Sequence, residues 1–127
     1  MHIQRKSAST SKYEYGCDLR RLFPWKDVVE PSWGGAIASV RPGEATTPHS
    51  HDEFEMFLVL SGSGKMAIEH ESSIMQEGDV VFIEKHKTHQ FTNESNKEPL
   101  VFLTIFWDSP EARERLQSLL ATEQPDC

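Results

Sequence analysis

From Leu19 onward the chain is cut into short apolar runs by turn-forming residues, and this punctuation restricts its fold more than any other feature. Arg41-Pro42-Gly43, Ser61-Gly62-Ser63-Gly64, His70-Glu71-Ser72 and Glu77-Gly78-Asp79 all carry turn chemistry. Proline presets φ, glycine reaches positive φ, and short polar side chains bond to nearby backbone. The runs between them predict strands at about 19–23, 33–41, 47–51, 54–60, 65–69, 73–76, 80–83, 89–93 and 100–107. Runs so short and closely spaced predict an all-β barrel of antiparallel hairpins rather than alternating βα units.

One helix is signalled, after Asp108, where Ser109 can cap, Pro110 suits the first helical position and Glu111 complements the positive end. Ala112, Leu116, Leu119 and Leu120 then share a face at helical spacing, for packing on the barrel or on a dimer partner. The N-terminal stretch is Ser/Lys/Gln-rich without apolar periodicity. The predicted organisation is a flexible arm over 1–15, one barrel domain over 16–108, and a C-terminal helix and tail over 109–127.

Composition narrows the function classes. A chain of 127 residues has room for one core and no second catalytic domain. Thirteen Lys and Arg against twenty Asp and Glu give a charge of −7. Basic groupings such as Arg20-Arg21 and Lys85-His86-Lys87 are too small for a phosphate-backbone footprint, so no nucleic acid partner is expected. No apolar run approaches the length of a membrane span, and Met1 to Tyr15 lacks the apolar core of an export signal. Cys17 and Cys127 show no metal or disulfide spacing and are read as reduced thiols of a cytoplasmic protein.

The chemistry concentrates in four residues. His49 and His51, two apart, leave the same face of an extended strand, and Glu55 keeps that parity, with Phe57 and Val59 continuing the face inward. His89 follows after two hairpins, enough chain to return a fourth group from another strand. Ionisable side chains on otherwise apolar strands are costly to bury unless something compensates them, and a divalent ion does so. Three neutral imidazoles and one carboxylate leave a positive site with open coordination positions, suited to polar or anionic chelating ligands. Glu55 is either a ligand or a base beside the ion. His86, three residues before His89, is either a further ligand or a surface residue; His70 and His2 stand outside the site. Arg41 either faces the pocket and pairs with a substrate carboxylate or caps the rim in solvent. Phe57 and Phe91 are the expected apolar substrate contacts. Phe102, Phe106 and Trp107 divide between core or interface and pocket wall according to a register that is not readable from the sequence.

Gly43-x5-His49-x-His51-x3-Glu55-x6-Gly62 resembles the first motif of the cupins with every spacing intact. Gly78-x5-Glu84-Lys85-His86-x2-His89-x3-Asn93 resembles the second but has Glu84 and His86 where the family carries Pro and Gly. The resemblance spans about 33–107 and implies a jelly-roll barrel whose metal ligands are His49, His51, Glu55 and His89. A cupin fold does not define one activity. Val29-Glu30-Pro31-Ser32-Trp33-Gly34-Gly35 and Leu103-Thr104-Ile105-Phe106-Trp107-Asp108 are similar to cupin modules of methionyl-tRNA-synthetase-like hydrazine synthetases. That similarity implies a synthetase-like partner and a zinc-dependent rearrangement of an amino-acid ester of an N-hydroxylated amine, forming an N–N bond. Zinc is then the favoured ion, with iron, manganese or nickel as alternatives. The competing expectations are an iron-dependent dioxygenase and a non-catalytic small-ligand or metal-binding module. The apolar faces of Met56, Leu58 and Leu60 and of the 102–107 strand predict a homodimer.

Overall fold

The computed structural model describes residues 1–8 and 11–123, so Cys127 lies outside the described residues. Nine strands and one helix follow in order: β1 (Lys12–Glu14), β2 (Cys17–Phe23), β3 (Trp33–Val40), β4 (Phe54–Ser61), β5 (Ser63–Ile68), β6 (Glu71–Gln76), β7 (Val80–Ile83), β8 (His89–Thr92), β9 (Leu100–Trp107) and α1 (Pro110–Glu123). They form a six-stranded sheet, β1-β2-β3-β9-β4-β7, and a three-stranded sheet, β6-β5-β8, antiparallel throughout. β1 falls within the 1–15 stretch and pairs there with β2.

The expected closed barrel does not form. β1 and β7 end the larger sheet, β6 and β8 end the smaller, and among the described residues no ladder joins one to the other, so the fold is two open sheets in jelly-roll order. The reason lies at the corners. At Gly62 (φ 81°) the chain leaves the larger sheet for the smaller, in a turn so tight that a Cβ there would press on the Pro99 carbonyl. Between β3 and β4, where a strand over 47–51 was expected, only isolated bridges occur, Ala45 with Thr92 and His49 with His89. Pro42 and Pro48 lack the N–H that a continuous ladder requires.

Alternation along each strand sets the core. On β4, Glu55, Phe57 and Val59 face inward while Phe54, Met56 and Leu58 face out. On β9, Leu100, Phe102 and Thr104 are the buried positions. Val40, Val59, Ile83, Phe91 and Leu100 are fully buried, each contributing about 1.5–3 kcal/mol of transfer free energy. The Phe57 and Phe102 rings meet at 4.4 Å and those of Phe91 and Phe102 at 5.2 Å. At the start of α1 the Ser109 hydroxyl accepts the N–H of Ala112, a cap that satisfies one orphan donor. Of the helix face, only Ala112 is buried; Leu116, Leu119 and Leu120 stay half exposed. No helix among the described residues is long and apolar enough to cross a membrane.

Candidate metal centre

The site is assembled where the irregular 41–53 segment meets the edge strand β8. His49 and His89 exchange backbone hydrogen bonds, His49 N–H to the His89 carbonyl at 3.3 Å and His89 N–H to that of His49 at 3.0 Å. This pairing sets the two residues directly opposite one another, and their ring centroids are 4.6 Å apart. The His51 carbonyl accepts the His86 N–H at 2.9 Å, so the loop before β8 also positions His51. His86 has φ 64° and so takes the left-handed conformation for which glycine is the usual residue at that motif position. Its ring is exposed and lies 3.4 Å from Asp52. One ligand nitrogen from each of His49, His51 and His89 falls within 4.8 Å of the others.

Hydrogen bonding orients these nitrogens. His49 Nδ1–H donates to the Thr47 carbonyl at 2.7 Å, and His89 Nδ1–H donates to that of Lys87 at 2.9 Å. In each ring Nε2 is therefore left with a bare lone pair, the arrangement that metal-binding histidines adopt. His89 Nε2 is buried without a hydrogen-bond partner, yet it stands 3.4 Å from Glu55 Oε1. Two buried acceptors facing one another repel unless a cation lies between them. His51 Nε2 is 2.9 Å from the same Oε1, and its buried Nδ1 also lacks a partner. An ion with bonds of about 2.1 Å sets neighbouring ligand atoms about 3.0–3.4 Å apart, so the 2.9 and 3.4 Å separations around Oε1 suit one. The donor set of three imidazoles and a carboxylate fits a divalent first-row metal.

Burial pushes the Glu55 pKa up, but in the metal-free protein, with N–H groups of His51 and His89 turned to it and the Thr104 hydroxyl donating to Oε2, these contacts outweigh burial and hold Glu55 at about 2. The Glu55 carboxylate in turn raises the His51 pKa above its ordinary value, against the lowering effect of burial.

His49 and His51 open onto a cavity of about 470 Å³ beneath the larger sheet. It exists because β3 offers only Ala36 and Ala38 there, while Phe57, Phe102 and Phe106 stand as walls. Gly34 is required beside them, since a Cβ at that position would collide with the Phe106 ring. Phe102, Thr104 and Phe106 thus line the cavity, whereas Trp107 belongs to the outer face with Phe54 and Phe82.

Of the sequence-derived substrate contacts, Phe57 lines the cavity. Phe91 does not: it is fully buried in the core, stacked on Phe57 with ring centroids 6.0 Å apart. Arg41 is turned away, paired bidentately with Asp18 at 2.9 and 3.0 Å and lying over the Tyr13 ring. Val40, Ala38 and Ala36 face inward, so Arg41 has the outward parity. The cavity is lined instead by Arg21, Tyr15 and Thr104, which sequence reasoning missed. The inward parity of Cys17 and Leu19 would have pointed to Arg21, but only once β2 was extended to Cys17.

A jelly roll whose three histidines converge between two sheets, beside a largely apolar cavity, belongs to the class of small β-proteins that offer a site for a single metal ion. The chain belongs to the cupins: the Cupin domain family model, Cupin_2, matches residues 36–106. The solved plu4264 protein of Photorhabdus luminescens is 30% identical, covers 95% of this chain and 97% of its own, and superposes with a TM-score of 0.79. An uncharacterised protein of Aquifex aeolicus is 37% identical over 71 residues, 55% of this chain and 57% of that protein. A 5-nitrosalicylic acid 1,2-dioxygenase of Bradyrhizobium is 20% identical over 92 residues, 64% of this chain and 44% of that enzyme. The chain therefore spans about half the length of these two curated relatives. Neither the family model nor these relatives marks out a hydrazine synthetase subtype.

Proposed function

We propose that this cupin is a metal-dependent dioxygenase acting on a small substrate that chelates through one end and carries an apolar, ring-sized body. One observation carries the reading: His49 and His51, whose nitrogens converge with that of His89, line a cavity walled by Phe57, Phe102 and Phe106. A ligand reaching the metal must bury an apolar body on the way. The 5-nitrosalicylic acid 1,2-dioxygenase relative is in keeping with such a substrate. Iron held by His49, His51, His89 and Glu55 would supply electron exchange with dioxygen; one C–C bond breaks and each oxygen atom joins one of its carbons, so no outside reductant is needed.

The chain's own groups do the rest. The Thr47 and Lys87 carbonyls keep the proton on Nδ1 of His49 and His89. The Thr104 hydroxyl pins Oε2 of Glu55 and leaves Oε1 toward the imidazoles. The aromatic walls keep water from the reacting atoms.

The N–N bond-forming reading, with its zinc ion and synthetase-like partner, has less behind it. The two stretches that suggested it pair with each other, Trp33 with Trp107 and Gly34 with Phe106, and serve packing. We assign a homodimer to the outer face of the larger sheet, where Phe82 and Val80 of edge strand β7 are more than half exposed beside Phe54 and Trp107.

The test is metal analysis of the purified protein, followed by oxygen-electrode assays of the iron-loaded form against a panel of hydroxylated aromatic acids. Iron binding with substrate-dependent oxygen uptake is expected. One equivalent of zinc, and no uptake by the iron-loaded form with any substrate, would refute the dioxygenase.

A further inference from the structure

Among the described residues lining the cavity, Arg21 is the only lysine or arginine. It continues the inward face of β2 after Cys17 and Leu19, which pack into the core. The register places it on one rung of the sheet: Arg21 beside Ala36, Ala36 beside Thr104, Thr104 beside Phe57. Three strand spacings of about 4.8 Å put the backbones of Arg21 and Phe57 about 14 Å apart. Ala36 projects nothing beyond Cβ into that span. Glu55, two residues before Phe57 and on the same face, belongs to the metal centre. Arg21 therefore stands three strands across the larger sheet from the strand that carries Glu55.

Arg21 already holds a carboxylate. Glu14, at the last position of β1, pairs with Arg21 Nη1, and both side chains are partly open to solvent. The next residue, Tyr15, has φ 57°, lines the cavity and brings its ring to 5.6 Å from that of His49. Tyr15 and Gly16 are both left-handed, so the β1–β2 connection is a two-residue hairpin turn, and the Tyr15 carbonyl accepts the Thr47 N–H at 2.8 Å. This turn thus spans from the counter-ion of Arg21 to the segment that carries His49.

We propose that Arg21 binds a substrate carboxylate at the cavity rim, across the larger sheet from the metal centre, and that Glu14 is the internal carboxylate which the substrate displaces. The inference rests on the metal-dependent reading above and narrows its substrate to a ring-sized anion with chelating oxygens at one end and a carboxylate at the other. A planar guanidinium suits such a group, because it can offer two parallel N–H donors once Glu14 has left.

The experiment uses the full chain loaded with zinc, which binds without turnover, and calorimetry with 3,4-dihydroxybenzoate and 3,4-dihydroxybenzamide. The two probes share the ring and the chelating oxygens and differ in the charge at the far end. Wild type is expected to favour the acid by about ten-fold, the factor that one well-placed ion pair supplies. Arg21→Gln should erase that preference while leaving the amide's affinity within about two-fold, Arg21→Lys should keep part of it, and Glu14→Gln should tighten the acid several-fold. An undiminished preference in Arg21→Gln, or weaker acid binding in Glu14→Gln, would overturn the assignment, as would failure of both probes to bind the zinc-loaded wild type. Zinc content is measured on the same samples. A preference lost from the prediction with zinc in place overturns only the role of Arg21, whereas a wild type that takes up no metal overturns the functional reading as well.

Discussion

Replacing Thr104 by valine removes one hydroxyl from a buried site at nearly constant shape, which makes its effect calculable. Thr104 is 5% exposed and donates to Oε2 of Glu55, itself 8% exposed. The fall of Glu55 from 4.5 to about 2 is worth about 3 kcal/mol to the metal-free fold at neutral pH. His51, His89 and Thr104 work together against burial, with Thr104 the weakest of the three hydrogen bonds, so its part is a fraction of that, on the order of 1 kcal/mol. Its hydrogen bond to a charged partner, taken by itself, would be worth about 1.5–3 kcal/mol. The two routes together predict that T104V lowers the stability of the metal-free protein by about 1–2 kcal/mol at pH 7. Because the folded-state pKa of Glu55 is depressed, this contribution is complete above the unfolded value of about 4.5 and fades as pH falls through about 2. The difference between variant and wild type should shrink over that window. Urea unfolding of EDTA-treated protein at several pH values, with NMR titration of the Glu55 side chain, measures both quantities. A stability change under about 0.5 kcal/mol with the Glu55 pKa unmoved would refute the role assigned to the Thr104 hydroxyl.

His89→Ala removes the most deeply buried imidazole of the cluster, and metal content should fall from about one ion per chain to below about a tenth, with the fold retained by circular dichroism. In wild type, metal should be released as pH drops below about 6.5, since protonated imidazoles cannot ligate; occupancy unchanged down to acid unfolding would argue against histidine ligation. Gly34→Ala drives a Cβ into the Phe106 ring and should cost about 1–3 kcal/mol, read as a lowered urea midpoint. Burial raises the Cys17 thiol to about 11, so the folded protein should resist a thiol reagent at pH 8 at this position and react there only in denaturant.

Much of this molecule is legible along the chain because its signals are local. Turn chemistry at Gly62 and Gly78 marks real corners, both at positive φ. Ser109 and Pro110 start the helix. The spacing of His49, His51 and His89 identifies three residues whose nitrogens do converge. These features depend on a residue's own backbone preference or on neighbours a few positions away, and such preferences survive without knowledge of the fold.

What only the tertiary structure decided depends on pairings between distant segments. Whether the sheets close is a matter of edge strands, and nothing in the sequence of β6 or β8 states that no ladder joins them to the larger sheet. The same holds for the failed strand at 47–51, where Pro48 and a single bridge to His89 leave His49 on irregular backbone. Arg41 and Arg21 illustrate the point most sharply. Both are arginines near the site, but side chains alternate along a strand, so parity turns Arg41 to Asp18 on the outside and leaves Arg21 at the cavity rim. Phe91 and Phe57 divide likewise, one sealed in the core and the other on the cavity wall, because packing depth is a property of the assembled sheets and not of the residue. Local chemistry therefore named the three converging histidines, and long-range register chose what surrounds them.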